Sequence, residues 1–357
     1  MNNLPLVSIL IPIRNEAAYI ERCINAIQDQ DYPGEMEILI IDGQSTDKTR
    51  DTLRQLALDP SVFTILDNPG EIVPIGINIA FRQTKGKIII RGPGHCIIAP
   101  DYVSNCVRHL QTDNVDGVGG PMKTIGETPL AKIIALAMGS PFGVGNSAFR
   151  TISGTSMLTD TIPFPAYTRQ IIERAGLYDE ELKRNQDDEY NYRIRALGGK
   201  ILLAADVQST YFSRASLQKL WKQYLEYGYY KVRVLQKHPR QMSARQFIPP
   251  IFVFCLIISG FLFLSYNFHS SPAILYLSSF TPLAYIIANL AASLWTIYSN
   301  NKNISQFSLF NHLFFVTLPI AFIILHISYG LGFLLGLFHF WNRWSDTIGK
   351  VPTWENL

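Results

Sequence analysis

Apolar and polar positions alternate in blocks along the first ninety or so residues. Leu6–Ile13 (LVSILIPI) is an apolar run rich in β-branched residues and predicts a strand. Over Asn15–Gln28 the apolar residues Ile20, Cys23, Ile24 and Ile27 recur at helical spacing on one face. Glu37–Ile41 (EILII) predicts a second strand that runs into Asp42-Gly43, and Thr46–Leu58 a helix with Asp47 and Lys48 in its first turn. Phe63–Leu66 predicts a third strand, Ile75–Gln83 a helix and Lys87–Ile90 a fourth strand. Strands alternating with helices predict an α/β fold, a mostly parallel sheet with helices on both faces. Such sheets bind ligands beyond the carboxyl ends of their strands. The polar clusters RNE, DGQSTD and RGPGH fall at three of those ends.

The pattern changes after Gln246. Phe247–Phe268, Pro272–Tyr298 and Leu309–Trp341 are almost uncharged and long enough to cross a bilayer. The third is longer than one span needs and contains Pro319; with Arg343 and Lys350 after it, it reads as a span, as a re-entrant segment or as one lying along the interface, giving two or three transmembrane helices. Its Gly332 and Gly336 stand four apart and would let a neighbouring helix pack closely. Of 31 Lys/Arg and 28 Asp/Glu in the chain of 357 residues, only Lys302, Arg343, Lys350, Asp346 and Glu355 follow Gln246. That asymmetry excludes a fully soluble protein, a disordered one and a small disulfide scaffold.

Eight basic residues (Arg214, Lys219, Lys222, Lys231, Arg233, Lys237, Arg240, Arg245) face Glu226 alone just before the first apolar segment. They mark the cytoplasmic side of the membrane. The N-terminal apolar run is short, interrupted by Pro5 and Pro12, and has no basic residues before it. It reads as a strand rather than a signal peptide, which keeps the charged front in the cytoplasm. The expected organisation is a globular unit over 1–213, a basic amphipathic linker over 214–246, membrane helices over 247–341 and a tail over 342–357. A net charge of +3 is too weak to argue for nucleic acid. The four cysteines form no metal-like spacing and read as reduced thiols.

PIRNE after the first strand, IDGQSTDKT after the second and the pattern Asn78-x-Ala80-x-x-x-Thr84-x-Gly86 before the fourth resemble the family 2 inverting glycosyltransferases. NPGEIVPIGIN, RGPGHCIIAPDYV, VGGPMKT, GSPFGVGNSAFR, RNQDDEYNYRIRALGGK, YFSRASLQKLWKQYLEYGYYK and HISYGLGFLLG extend the likeness over nearly the whole chain, to the membrane-anchored succinoglycan-type subgroup. The resemblance implies a GT-A fold, the Rossmann-like nucleotide-diphospho-sugar transferase fold, followed by C-terminal transmembrane helices. It implies a nucleotide-sugar donor, a lipid-linked or glycan acceptor, and a bacterial inner-membrane location with several passes.

The same resemblance assigns residues. Pro12, Arg14, Asn15, Glu16, Asp42 and Asn78 would bind the nucleotide sugar, with Asp42 accepting hydrogen bonds from uracil or ribose and residues 14–16 opening a helix whose dipole favours an anion. Read without the family, Asn15 is a helix cap and Asp42 a turn residue. Members of the family place Asp-x-Asp or Asp-x-His after the fourth strand to hold Mn or Mg on the diphosphate. Here Pro93 occupies the first ligand position and His95 the second, so the divalent cation is doubtful and Arg91 is a substitute cation for the diphosphate.

Inverting transfer needs one base for the acceptor hydroxyl. In RNQDDEYNYR, Gln186 replaces the family's Glu, Asp187 holds the base position, Asp188 intervenes and Glu189 is the later acid, the last two assigned with Arg91 to substrate or nucleotide binding. Read from spacing alone, the run is a solvated helix start. Ser140–Asn146 is a Gly-rich loop that lies toward the acceptor in the family, or a plain flexible loop. The bases and aromatics of Arg214–Lys231 fit a helix pair lying on anionic lipid, or a topology signal with interface aromatics. The expected activity is sugar transfer from a UDP-sugar in surface polysaccharide synthesis. The alternative is a degenerate transferase kept as an assembly partner, favoured by Pro93 and Gln186.

Overall fold

The computed structural model describes residues 4–92, 94–145, 147–151, 154–213, 215–269, 271–300, 311–346 and 351, so Pro93, Asn146 and Arg214 lie outside the described residues. In chain order the elements are β1 (Val7–Ile13), α1 (Ile20–Gln28), β2 (Met36–Asp42), α2 (Thr49–Gln55), β3 (Phe63–Asp67), α3 (Val73–Phe81), β4 (Ile88–Arg91), β5 (Cys96–Ile98), α4 (Tyr102–Thr112), β6 (Gly117–Gly119) and β7 (Met122–Ile125). There follow α5 (Pro129–Gly139), α6 (Pro141–Val144), α7 (Ala148–Thr151), β8 (Met157–Leu158), β9 (Ala166–Thr168), α8 (Arg169–Ala175), α9 (Gln186–Ala196), β10 (Ile201–Leu203) and β11 (Ser209–Phe212). The long helices are α10 (Leu217–Lys237), α11 (Ile248–His269), α12 (Pro272–Ser299) and α13 (Asn311–His339).

The chain forms two compact units. The first is built from Met1–Lys123 and Ala148–Phe212, the second from Thr124–Ser147 and Ser213–Asp346. The first unit holds a sheet in the order β3-β2-β1-β4-β9-β6-β10-β8. β1 runs parallel to β2 and β4, β2 runs parallel to β3, and β9 is antiparallel to both β4 and β6. Alternation along β1 builds two cores. Val7, Ile9, Ile11 and Ile13 pack with Ile20, Cys23, Ile24 and Ile27 of α1 and with α4, whereas Leu10 packs on the other face with α3, α8 and α9. The register sets Ile13 opposite Asp42 and Asp42 opposite Asp67, so the carboxyl ends of β1, β2 and β3 finish level. Helix α1 begins at Ile20, five residues later than its spacing suggests, because the backbone N–H groups of residues 15–17 are held by side chains of the 45–49 segment.

In the second unit α10 lies against α13 at backbone contact. A Cβ on Gly228 would stand 2.0 Å from the Tyr329 oxygen, and one on Gly332 would stand 2.1 Å from the Leu225 oxygen. Only glycine allows that approach. The apolar helix α5 also packs on α13, burying Ile133, Ile134, Ala137 and Met138. The break between α5 and α6 is secured from α13, where His326 Nε2 donates to the Phe142 carbonyl at 2.7 Å. The Tyr285 hydroxyl of α12 then donates to His326 Nδ1 at 2.9 Å. A carbonyl in hydrocarbon needs such a donor.

Three helical segments are long and apolar enough to cross a membrane: Ala244–Tyr266, Pro272–Ser299 and Phe314–His339. The last apolar stretch is one continuous helix in its described part rather than a re-entrant pair. Two features bear on the expected organisation. Residues 124–147 group with the C-terminal helices instead of with the sheet, because α5 is apolar along a face that α13 covers. The linker's basic residues are not uniformly solvated: Lys231, Arg233 and Lys237 are buried, and Arg233 pairs with Asp346 at 3.0 Å.

A chain ending at Gln246 loses the helix that covers α5 and α10. It is therefore expected to stay dispersed only in detergent, as read by sedimentation with and without it. A monodisperse, detergent-free 1–246 fragment would show that the sheet unit closes without α13.

Candidate active site

The carboxyl edge of the sheet carries a set of paired charges. Residues 14–17 and 42–49 are laced together there. Asn15, with φ +57°, accepts at Oδ1 from the backbone N–H of Thr46 at 2.8 Å and of Asp47 at 3.3 Å. Ser45 Oγ accepts from the Asn15 N–H at 2.9 Å and donates to Asp42 Oδ1 at 2.5 Å. Thr49 Oγ1 accepts from the Glu16 N–H at 2.8 Å. These contacts correct the anion-binding helix start expected at Arg14–Glu16: the amides of residues 15–17 are already spent on side-chain oxygens. Arg14 pairs with Glu71 at 2.6 Å near the surface, and Pro12 sits half-buried in β1 opposite Ile41.

Asp42 ends β2 as expected but is fully buried rather than open, with its carboxylate held by Arg50 and by Ser45. Arg50 bridges onward to Asp67 at the end of β3. Sequence reasoning did not reach Arg50, Ser45 or Asp67. The signal available was an arginine one turn into the helix after Asp42. Asn78 is likewise buried, and it is a clamp: its Nδ2 donates to the Tyr178 carbonyl and to Glu180 Oε1, both at 2.9 Å, and its Oδ1 accepts from the Tyr178 N–H at 2.8 Å. Both polar atoms of that side chain thus meet partners within the chain.

β4 ends in Arg91, whose side chain is only 14% exposed and donates to Asp187 Oδ2 at 2.5 Å. The substitute cation expected from the sequence thus makes an ion pair with the carboxylate at the start of α9. The pair rests on tyrosines: Tyr178 and Tyr190 stack at 4.1 Å, and Tyr167 lies 5.7 Å from Tyr190. Burial pushes the Asp187 carboxyl up, Arg91 pulls it down, Asp188 pushes it up, and the balance leaves it above its ordinary value. Asp187 Oδ1 and Arg91 Nε are both buried without a hydrogen-bond partner.

The acids of α9 diverge as adjacent helical residues must. Asp188 turns to the Thr161 hydroxyl, 3.1 Å away. Glu189 is fully buried and forms a bidentate pair with Arg193 at 2.6 and 2.9 Å. Arg193 in turn donates to the carbonyls of Ala175 and Leu177. Glu189 therefore orients an arginine that ties α9 to the end of α8.

His95 presents its Nδ1 to Glu16 Oε1 at 2.9 Å and packs edge-on against Tyr211 at 5.3 Å. A carboxylate behind an imidazole is the arrangement that orients a metal-binding histidine. Among the described residues, however, no three His, Cys, Asp or Glu side chains gather as a ligand set. His95 is the one position of the family's metal motif that the structure describes, and Glu16 stands behind it.

Removing one partner of a buried pair leaves the other charge uncompensated. Glu189→Ala is expected to lower stability by about 3–5 kcal/mol, checked by denaturant unfolding in detergent. A cost no larger than that of a typical surface substitution would show that Arg193 finds another partner.

Comparison with known proteins fits this geometry. Residues 8–179 match the model for glycosyl transferase family 2. Over 243 residues the chain is 30% identical to the succinoglycan biosynthesis protein ExoA of Rhizobium meliloti (strain 1021), covering 68% of this chain and 73% of that protein. Over 240 residues it is 30% identical to a dolichyl N-acetyl-alpha-D-glucosaminyl phosphate 3-beta-D-2,3-diacetamido-2,3-dideoxy-beta-D-glucuronosyltransferase of Methanococcus voltae, covering 65% and 74%. Among solved structures, the mannosyltransferase PcManGT from Pyrobaculum calidifontis, in complex with GDP-Man and Mn2+, superposes with a TM-score of 0.53 at 19% identity, over 91% of this chain and 87% of that one. That likeness shows the GT-A fold. With the fold, the motif order and the relatives in agreement, the chain belongs to family 2 of the glycosyltransferases.

Proposed function

We propose that this glycosyltransferase moves a sugar, with inversion, from a nucleotide donor to a lipid-linked or polysaccharide acceptor in surface polysaccharide synthesis. The donor is taken to be a UDP-sugar on the family resemblance. ExoA is named for succinoglycan biosynthesis, and the Methanococcus voltae relative is named for transfer to a dolichyl-phosphate-linked sugar. The proposed location is the plasma membrane, crossed more than once, with the sheet unit in the cytoplasm. Three apolar helices and the basic residues that precede them support that placement.

One observation carries the mechanism: Asp187 has an unpartnered Oδ1, while Arg91 holds Oδ2. In the proposed step Asp187 takes the proton of the acceptor hydroxyl. The hydroxyl oxygen bonds to the anomeric carbon from the face opposite the leaving group. The bond from that carbon to the diphosphate oxygen breaks, and its electron pair leaves with the nucleoside diphosphate. Asp188 stays with Thr161 and plays no part in the proton transfer.

Asp187→Asn keeps an oxygen for Arg91 but cannot take the proton. It is expected to lower turnover about a hundredfold to ten-thousandfold while leaving donor affinity within a few-fold. Release of nucleoside diphosphate by detergent-solubilised protein, with calorimetry of donor binding, checks both. An Asn variant that turns over at the intact rate would move the base elsewhere.

The base works only when ionised, so activity falls as pH drops through the Asp187 pKa. Arg91 is the group that pulls this pKa down against burial. Arg91→Gln is therefore expected to move the acid limb of the kcat/KM profile to higher pH. A limb that stays put, or moves lower, would detach Asp187 from the profile.

A further inference from the structure

We infer, resting on the membrane placement proposed above, that α13 does not cross the bilayer. It lies along the cytoplasmic leaflet, with its uncovered face in the boundary between headgroups and acyl chains. α11 and α12 then cross as a hairpin, and the chain beyond α13 stays in the cytoplasm. Length and composition allow α13 to be a third span. Its contacts point the other way.

Two segments of the membrane-helix unit define a side. Residues 124–147 leave the sheet unit and return to it. Their longest helix, α5, has 11 residues and rises about 16 Å, half of the hydrocarbon thickness. That segment cannot pass to the far side and come back. α10 follows the sheet unit directly and carries Lys219, Lys222, Glu226, Lys231, Arg233 and Lys237. So many charges do not enter hydrocarbon. Both segments therefore stay on the side of the sheet unit.

α13 meets that side from one end to the other. Near its start, the Pro319 carbonyl accepts from Asn289 Nδ2 of α12 at 3.1 Å. Two turns further along α12, Thr296 Oγ1 lies 3.4 Å from Ser140 Oγ at the end of α5. Next along α13, His326 donates to the Phe142 carbonyl of α6. A Cβ on Gly330 would stand 2.4 Å from the Pro249 oxygen, in the first turn of α11. At the other end, Gln236 of α10 donates to the Phe340 carbonyl at 2.7 Å, and Arg233 pairs with Asp346. From Pro319 to His339 the helix rises about 30 Å, enough to carry one end across the hydrocarbon. Instead both ends meet elements of one side, so the axis runs along the membrane.

The remaining face of α13 suits a leaflet. Leu318, Ala321, Phe322 and Leu325 are buried in the unit, whereas Phe315, Val316, Ile320, Leu335 and Phe338 are exposed. A helix covered by protein on one side and bare and apolar on the other fits the plane of the interface. Trp341 and Trp344 follow, both exposed, with Arg343 between them. Tryptophan suits headgroup level, and arginine marks the cytoplasmic side.

The test is cysteine labelling in spheroplasts of a bacterial expression host. It uses a membrane-impermeant maleimide, with the intact chain as the blank. Gln55→Cys reports the sheet unit, Ser271→Cys the α11–α12 turn, Asn300→Cys the end of α12, and a cysteine added after Leu357 the chain end. Only Ser271→Cys is expected to react before the membrane is opened, and the other three only afterwards. A chain-end cysteine labelled from outside, with Gln55→Cys protected, means a third crossing. It overturns the inference and leaves the placement of the sheet unit and the sugar-transfer reading standing. Ser271→Cys protected, or Asn300→Cys labelled from outside, removes the hairpin and overturns the inference as well. Gln55→Cys labelled from outside overturns the proposed placement itself, and the inference falls with it.

Discussion

Charge that leaves water must be paired, and that constraint organises the site unit. The strands of a parallel sheet end level, and in this chain those ends carry ionised side chains in poorly hydrated places. Asp42 is fully buried and persists because Arg50 and Ser45 surround its carboxylate. Arg91 and Asp187 share one pocket, and Glu189 and Arg193 share another. Each pair also joins two elements: β2 to α2, β4 to α9, and one turn of α9 to the next and to the end of α8. The desolvation cost of burying such ions is several kcal/mol apiece, so they contribute little net stability. What they supply is position, because a buried charge with one acceptable partner has one acceptable place.

The same constraint explains what could be read from the sequence. Apolar periodicity located the four leading strands and the face of α1, since Ile20, Cys23, Ile24 and Ile27 are all buried as their spacing implies. The polar clusters placed Asp42 and Arg91 at strand ends, and they close β2 and β4. Pairing was not legible. Asp42 looked open because its partner lies eight residues on, in the next helix. Asn78 and Glu189 looked like ligand groups because a polar residue in a motif does not reveal whether its hydrogen bonds go to a substrate or to the chain. Asn78 spends its amide on Tyr178, a hundred residues away. Long-range satisfaction of this kind leaves no local pattern.

In the membrane-helix unit the limiting quantity is distance rather than charge. Between apolar helices in lipid there is little hydrophobic gain, so close packing and internal hydrogen bonds do the holding. Gly228, Gly332 and Gly336 bring α10 and α13 into backbone contact. His326 is used in both senses: its ring packs edge-on against Phe142 at 5.0 Å, and its two nitrogens join a carbonyl of α6 to a hydroxyl of α12. The carbonyl can only accept, so Nε2 carries the proton and Nδ1 receives the tyrosine hydroxyl. A neutral imidazole in one tautomer satisfies three elements at once. That is why the chain can break between α5 and α6 without leaving the Phe142 carbonyl bare.

In the proposed step, the arrangement at Asp187 answers an opposite need to that of a purely structural ion pair. A carboxylate buried against tyrosines and left alone would hold its proton, and a protonated acid takes none from an acceptor. A carboxylate gripped by an arginine through both oxygens would be ionised but too weak a base. Here Arg91 reaches only Oδ2, burial pushes the other way, and Oδ1 stays unpartnered. One-oxygen pairing therefore pulls the carboxyl down against burial while sparing Oδ1, the atom that would accept the proton in the proposed step.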